Sequence, residues 1–228
     1  MGEMVEFPSN GGTGSGYVAR PEQGAGLGLL VIQEWWGLVP HIKDVCDRFA
    51  AEGFTALAPD LYHGESTTEP DEAGKLMMSL NLEQAAKDLS GAVDWLVASD
   101  DVRGDGVGVV GFCMGGGLAL VLGTQRPDAV QAVVPFYGVI PWPHAQPDWS
   151  KLIAPVHGHF AELDSFFTPD KVKELETTLR DQGTEADLSI YEGVDHAFFN
   201  DTRPEVYNKE ASSDAWKKTV EFFRANVK

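Results

Sequence analysis

The segment from Val109 to Ala119, VVGFCMGGGLA, constrains the fold more than any other part of the chain. An apolar run stops at Cys113, which stands among glycines, and a helix-forming stretch follows at once. At a sharp turn from a strand to a helix, the residues two before and two after the central one must be small, and here both are glycine, Gly111 and Gly115. The pattern predicts a nucleophile elbow with sulfur in place of oxygen.

The position of Cys113 at the start of a helix also bears on its chemistry. Unpaired N–H groups give a helix N-terminus partial positive charge, which favours a thiolate over a thiol. Two other interpretations of the motif stay open: a buried cysteine beside a tight glycine turn, and a weak dinucleotide-binding loop. The glycine spacing does not complete the G-x-G-x-x-G pattern that the second interpretation needs.

An acid and a base follow the cysteine in the order of an α/β-hydrolase triad. Residues 154–160 are typical of a strand that leads to Asp164, and residues 187–191 of a strand that leads to His196. Both candidates follow a strand, where catalytic groups collect in open parallel sheets. We expect Asp164 to orient His196, and His196 to take or hold the proton of Cys113. The competing interpretations are a loop histidine bonded to backbone and a helix N-cap.

With these residues the chain resembles the dienelactone hydrolase (carboxymethylenebutenolidase) family of the α/β-hydrolase superfamily. The resemblance covers most of the 228 residues and rests on the elbow and on three further segments, which are Leu29–Leu38, Ala58–Tyr62 and Asp195–Phe198. It implies an α/β-hydrolase fold, with a mostly parallel central sheet and helices on both faces, and a Cys-Asp-His triad. It also implies that Glu34 accepts a hydrogen bond from the resting thiol and helps to ionise it when substrate enters.

The remaining parts of the site are expected around these four side chains. The backbone N–H groups of Met114 and Trp35 are expected to form the oxyanion hole. Aromatic residues concentrate near the catalytic positions, which indicates an apolar pocket that accepts rings. The expected aromatic pocket residues are Trp36, Phe112, Phe136, Trp142, Phe166 and Phe198.

The charged groups that would hold an anionic substrate are missing. The resemblance implies a substrate-binding arginine four residues after the histidine, but Asn200 occupies that place and is therefore expected in the pocket. Lys75 is the possible substitute for a second arginine, and Arg203, before Pro204, is expected at the surface. We therefore expect the fold and triad to carry over, but not the dienelactone substrate.

The chain predicts one domain over residues 1–228, with strands and helices in alternation after an opening hairpin. The hairpin strands are expected at 4–7 and 17–20, joined by a glycine-rich turn at 10–16. Residues 61–81 follow no regular pattern and are expected to cover the site as a lid. The expected helix limits are about 42–52, 82–98, 171–182 and 213–226.

Composition limits the partners. The chain has 35 acidic and 17 basic residues, a formal charge of −18, which argues against nucleic acid or an anionic membrane. No basic start precedes an apolar stretch, and no apolar run approaches the roughly 20 residues of a membrane span. The two cysteines suit a reducing compartment, with Cys46 expected as a buried apolar residue, so a cytoplasmic location is predicted.

No metal or cofactor is expected. His157 and His159 alternate along a predicted strand and are expected to point to opposite faces, which separates them as ligands. The sequence therefore predicts a monomer or small homo-oligomer that cleaves small esters or lactones through a thioester at Cys113, which water then hydrolyses. Two alternatives stay open: an amidotransferase-like or glyoxalase-like cysteine enzyme, and a non-catalytic α/β domain with a redox-sensitive thiol.

Overall fold

A single sheet organises the chain. The computed structural model describes residues 2–9, 11–138 and 140–228, and across these its sheet has eight strands in the order β1-β2-β4-β3-β5-β6-β7-β8. The strands are β1 Glu3–Ser9, β2 Gly12–Ala19, β3 Gly26–Ile32, β4 Phe54–Pro59, β5 Val102–Phe112, β6 Val130–Phe136, β7 Val156–Ala161 and β8 Ala186–Tyr191.

The sheet is mostly parallel, as expected. Only β1 with β2 and β2 with β4 pair antiparallel, and the pairs from β4 through β8 are parallel. The chain leaves β3 for β4 on one side and returns to β5 on the other, so the strand order reverses between β3 and β5. Ligands bind at such a switch point, beyond the carboxyl ends of the strands. Ile32 at the end of β3 lies beside Gly111 near the end of β5.

Helices cover both faces of the sheet. They are α1 Pro40–Ala51, α2 Pro70–Ser79, α3 Leu82–Val97, α4 Met114–Gln125, α5 Pro169–Asp181 and α6 Lys209–Asn226, with short 3₁₀ turns at Pro143–Ala145 and Trp149–Lys151. Gly108 and Gly111 of β5 are three residues apart and therefore face opposite sides. A Cβ atom on Gly108 would meet Phe223 of α6, and one on Gly111 would meet Gly115 of α4.

The core lies on either side of the central strands. Every residue of β3 and of β4 is buried, which is the pattern of a parallel strand covered on both faces. Helix α4 is likewise buried over most of its surface, so apolar residues occur all around it. This burial fixes the elbow between β5 and α4 in a tightly packed part of the molecule.

The structure corrects several expected limits. The glycine-rich segment is not a long turn, because β2 already begins at Gly12. Gly14 pairs with Phe7 of β1, and a side chain there would clash, because the Phe7 ring lies 2.5 Å from the position that a Cβ atom would occupy. Residue 10 lies outside the described residues. The segment 61–81 is not wholly irregular, since it contains α2. Helix α6 starts at Lys209, where the Asn208 side chain accepts a hydrogen bond from the Ala211 N–H.

The expected separation of His157 and His159 is wrong. Residues two apart in a strand share a face, and the two rings lie 4.9 Å apart between centroids. Within the described residues no group of three or more histidine, cysteine, aspartate and glutamate side chains is arranged to hold a metal ion. No helix in the same residues is both long and apolar enough to cross a membrane.

Candidate active site

Cys113 occupies a strained turn between β5 and α4. Its φ of 55° and ψ of −120° are values that side-chain-bearing residues rarely adopt. A Cβ atom on Gly111 would lie 2.0 Å from the Gly115 carbonyl oxygen, and one on Gly115 would lie 2.4 Å from that of Gln33. Both glycines are therefore required by close backbone approach, which is the packing that an elbow demands.

Asp164 and His196 meet beyond the ends of β7 and β8. His196 Nδ1 lies 2.7 Å from Asp164 Oδ2. The other carboxylate oxygen, Oδ1, accepts the backbone N–H groups of Phe166 at 2.7 Å and Phe167 at 3.1 Å. Asp164 is therefore an acceptor on both oxygens, which fixes Nδ1 of His196 as the donor and leaves Nε2 for Cys113. The N-cap of α5 is Thr168, not Asp164.

The environment of His196 favours the imidazolium. Burial disfavours the charged ring and lowers its pKa, but the hydrogen bond to Asp164 and the interaction with the Cys113 side chain outweigh burial and raise the pKa to about 10. A proton held on His196 stabilises a thiolate at Cys113, in the manner of a cysteine–histidine ion pair.

Glu34 is buried behind the turn that follows β3, with only 1% of its surface exposed. The Tyr137 hydroxyl donates to Glu34 Oε1 at 3.4 Å, and Asn200 Nδ2 donates to Oε2 at 2.8 Å. In the described parts of the chain these are its side-chain partners, and the Cys113 thiol is not among them. The thiol interacts with His196 instead, so the resting contact between Glu34 and thiol that the resemblance implies is absent here.

The two expected oxyanion donors lie at the same end of the sheet. Met114 is the first residue of α4, and Trp35 follows the end of β3, next to the elbow. Neither N–H donates to a protein acceptor anywhere in residues 2–9, 11–138 and 140–228. Two unpaired donors beside a nucleophile are the arrangement that stabilises a developing oxyanion.

A cleft of about 850 Å³ opens above these groups and contains Cys113, His196 and Glu34 in its wall. Among the expected aromatics, Trp36 and Phe166 line it, together with Trp35, Phe167 and Trp149. The Phe166 ring lies 5.1 Å from the His196 ring and is 62% exposed. Helix α2 contributes Pro70 and Met77 to the wall, so part of the segment 61–81 does border the site.

Four of the expected aromatic residues lie elsewhere. Phe112, Phe136 and Phe198 are fully buried, and Phe112 packs on Phe136 with 4.8 Å between ring centroids. Phe112 and Phe136 are the last residues of β5 and β6, and they pack with Phe198 in the core beside the sheet instead of facing the cleft. Trp142 lines a neighbouring cavity of about 750 Å³ against α3 and α4.

The polar residues near the mouth are also placed differently from expectation. Asn200 is not a pocket residue, because it is 2% exposed and lies beneath the cleft on Glu34. Arg203 is not a plain surface residue, since it lines the cleft with its guanidinium 5.7 Å from the centre of the Trp36 ring and its Nε 2.8 Å from Glu205. Lys75 pairs with Glu72 and is not part of the wall.

Tyr137 is a site residue that the sequence patterns did not reveal. It has a φ of 38°, is fully buried, and places its ring 4.9 Å from that of His196. Burial, followed by the charges of Glu34 and Cys113, raises its pKa well above the usual value, so it stays a neutral hydroxyl. The sequence could have indicated this residue, because Tyr137 directly follows the predicted strand β6, and catalytic groups collect at strand ends.

Comparison with known proteins identifies the family of the chain. Residues 15–227 match the model of the dienelactone hydrolase family. Protein usf of Aquifex pyrophilus is 40% identical, with 98% of each chain covered, and a candidate carboxymethylenebutenolidase of Aquifex aeolicus is 36% identical over the whole of both chains. A candidate dienelactone hydrolase from Klebsiella pneumoniae superposes with a TM-score of 0.88, at 28% identity and 98% coverage of each chain. The chain therefore belongs to the dienelactone hydrolase family and has the α/β-hydrolase fold.

Proposed function

We propose that this protein hydrolyses small carboxylic esters or lactones through a Cys113–His196–Asp164 triad and a thioester intermediate. The observation that carries the proposal is the convergence of three strand ends on one cleft. Cys113 stands on a strained elbow, His196 interacts with it, and Asp164 holds His196 at 2.7 Å. Names of relatives support the substrate class, since one of them is a candidate carboxymethylenebutenolidase.

The first half-reaction is acylation. The Cys113 thiolate attacks the substrate carbonyl carbon, so a carbon–sulfur bond forms and the carbonyl electrons move to the oxygen. The N–H groups of Met114 and Trp35 stabilise that oxyanion. The carbon–oxygen bond to the alcohol then breaks, and the alkoxide takes the proton held on His196. A lactone opens in the same step and keeps its alcohol on the acyl chain.

The second half-reaction is hydrolysis of the thioester. His196 gave its proton to the alcohol during acylation, so it is now a neutral imidazole and can act as the base that takes a proton from an incoming water. Water adds to the thioester carbonyl and the carbon–sulfur bond breaks. The carboxylic acid leaves, Cys113 regains its thiolate and His196 its proton. These steps need only the side chains named here.

The cleft supports small substrates with an apolar or aromatic part. Its wall near the sulfur is formed by Trp35, Trp36, Phe166 and Phe167, which give flat apolar surface. Both cysteines are free thiols, which fits a reducing compartment, and we place the protein in the cytoplasm on that ground. Small molecules are the partners that such a cleft accepts.

The two alternative classes have less support. Amidotransferase-like and glyoxalase-like cysteine enzymes place a histidine directly after the cysteine, whereas this chain has Met114 there and brings His196 from a different strand end. A non-catalytic domain with a redox-sensitive thiol would not need Asp164 to hold the ring of His196, nor two unpaired N–H groups beside the sulfur.

The experiment combines turnover with direct detection of the intermediate. Purified protein is assayed with chromogenic aryl esters and small lactones, and its intact mass is measured within seconds of mixing. We expect release of the alcohol and a mass increase equal to one acyl group, lost in Cys113→Ala but retained in Cys46→Ala. Turnover by Cys113→Ala at the unmodified rate, or an acyl group on another residue, would overturn the mechanism.

A further inference from the structure

We infer that a second cavity beside the active-site cleft holds the acyl chain of the substrate, so that esters of long unbranched carboxylic acids are the preferred class. This inference rests on the proposed function. The second cavity has a volume of about 750 Å³. Helix α3 forms one side of it with Leu82 and Leu89, helix α4 forms another with Leu118 and Val121, and residues between 140 and 148 form a third.

The second cavity and the cleft share a wall. Ile140 and Gln146 line both spaces. The segment that carries them also places one tryptophan on each side, since Trp149 lines the cleft and Trp142 lines the second cavity. Helix α4 borders both as well, with Leu120 on the cleft. A flexible chain that starts at the nucleophile can therefore follow this wall past Ile140 and Gln146 into the second cavity.

The α4 side of the second cavity is apolar. This helix carries no charged residue and is buried over most of its surface, which is the pattern of a helix covered on every side. Its residues Leu118 and Val121, however, face the second cavity. An apolar surface that borders a concave space is the kind of surface that an apolar ligand covers.

The charged groups of the second cavity are paired and exposed to solvent. Glu83 contacts Lys87 at 2.8 Å, and Asp148 contacts Lys151 at 3.5 Å. An anionic ligand would need a cation free to bind it, and Lys151 already has Asp148 as its partner. The second cavity therefore fits a hydrocarbon chain better than a carboxylate or a phosphate.

The position of His196 decides which half of the ester enters the second cavity. The departing alcohol takes its proton from His196, so it must lie beside that ring, near Phe166. In the described part of the chain, no residue of the loops that carry His196 and Asp164 lines the second cavity. The acyl half points away from the leaving group, so it is the half that extends past Gln146. It also stays in place throughout, because the thioester keeps it bonded to Cys113.

The test compares p-nitrophenyl decanoate with p-nitrophenyl butanoate, both at concentrations at which they do not aggregate. Each methylene that leaves water for an apolar wall can raise kcat/KM about threefold, so the unmodified protein should prefer the decanoate at least about tenfold. Val121→Trp fills the second cavity from α4 and should lower the decanoate-to-butanoate ratio at least about tenfold. Val97→Trp is the matched control, because Val97 is an exposed residue of α3 outside both cavities, and it should keep the ratio.

Two further arms complete the test. Should Val121→Trp fail to fold, Ala86→Phe fills the second cavity from α3 and should lower the same ratio. Decyl and butyl acetate place the chain on the alcohol, and their ratio should be the same in the filled variant as in the unmodified protein. A preference of the unmodified protein for the butanoate, an unchanged aryl-ester ratio in the filled variants, or an equal loss with the acetates would overturn the inference. Hydrolysis of neither aryl ester, or of both without an acyl group on Cys113, would instead overturn the proposed function.

Discussion

The Asp164 carboxylate and the His196 imidazole, 32 residues apart in the chain, are joined by a contact of 2.7 Å between Oδ2 and Nδ1. Asp164 is fully buried, and its second oxygen is occupied by two backbone N–H groups. The carboxylate therefore cannot rotate away, and it fixes both the tautomer and the direction of the imidazole. Because Asp164 orients His196 and does not itself react, we expect its replacement to cost less activity than replacement of Cys113 or His196.

We expect Cys113→Ala and His196→Ala to lose nearly the same activity, about 10⁵-fold or more in kcat, because the two residues act as a unit. Asp164→Asn should have a kcat roughly 10- to 100-fold higher than that of either alanine variant. The measurement is kcat with a neutral aryl ester, and circular dichroism checks that each variant folds. Equal loss in all three would mean that Asp164 is as essential as the nucleophile, contrary to an orienting role.

The two cysteines should differ strongly in reactivity. Cys46 is completely buried, and burial raises its pKa far above the usual range, so it stays a thiol. Cys113 lines the cleft beside His196. Limiting iodoacetamide at neutral pH should alkylate Cys113 first and abolish esterase activity in proportion. Peptide mapping identifies the modified residue, and full activity after alkylation of Cys113 would contradict its assignment as nucleophile.

The glycines of the elbow should not tolerate a methyl group. In Gly111→Ala the new Cβ would lie 2.0 Å from the Gly115 carbonyl oxygen, and we expect unfolding or a loss of roughly 3 kcal/mol or more. Gly74→Ala is the matched control, because only the Trp35 ring lies near its Cβ, at 4.0 Å, and alanine is preferred in helices by about 0.5–1 kcal/mol. Denaturant unfolding measures both. Similar stability of the two variants would be inconsistent with the packing described.

Acid should destabilise the fold through its buried histidines. His159 is fully buried between Tyr191, at 3.1 Å, and Thr219, at 3.0 Å. The Tyr191 hydroxyl donates to Asp214, so His159 Nδ1–H donates to Tyr191 and Nε2 accepts from Thr219. Burial lowers the pKa of His159 well below 6.5. The neutral ring therefore accepts a hydrogen bond from Thr219 at Nε2, and protonation of Nε2 would remove that hydrogen bond.

The sign of the pH dependence follows from this lowered pKa. The unfolded chain binds a proton at His159 below about pH 6.5 and the folded chain does not, so stability is full above that pH and falls as the pH drops. The slope per such histidine is about 1.4 kcal/mol per pH unit. Burial also lowers the pKa of His41 and His157, with the same sign. His159→Gln should make the dependence between pH 7 and 5 shallower in urea unfolding. An unchanged slope would contradict the assignment.

Substrate charge should matter at the cleft. Arg203 and Lys171 line the cleft, but Glu205 pairs with Arg203 at 2.8 Å, and the whole chain has a charge of −18. A carboxylate that enters the cleft would lose hydration without full compensation. We expect neutral aryl esters to have at least about tenfold higher kcat/KM than matched carboxylate-bearing lactones at low salt, with a smaller gap at high salt.

Arg203→Gln should lower kcat/KM for the carboxylate substrates and leave the neutral esters unchanged. A preference of the unmodified protein for the carboxylate-bearing lactone would mean that Arg203 leaves Glu205 to bind it. Asn200→Arg would not test substrate charge, because position 200 is buried on Glu34 and does not face the cleft.

The sequence determined the order of the elements and the position of the elbow. Strand ends can be read from local apolar runs and glycines, so Cys113, Asp164 and His196 were each found at the end of a strand. The parallel sheet followed from the alternation of strands and helices, and the family from motifs spread along the chain. The helix α2 within segment 61–81 was harder to predict, because its apolar spacing, Ala73, Leu76 and Met77, extends over little more than one turn in a stretch rich in polar residues.

Tertiary structure decided which side chains reach the cleft. Phe112 and Cys113 are neighbours in the chain, but one enters the core and the other faces the cleft, since direction depends on the backbone turn. Asn200 and Glu34 are 166 residues apart and form their contact only because β3 and the loop after β8 end at the same edge. Local sequence patterns indicate which residues of a single segment are buried and where that segment turns. Distances between segments are set by packing, which no local pattern contains.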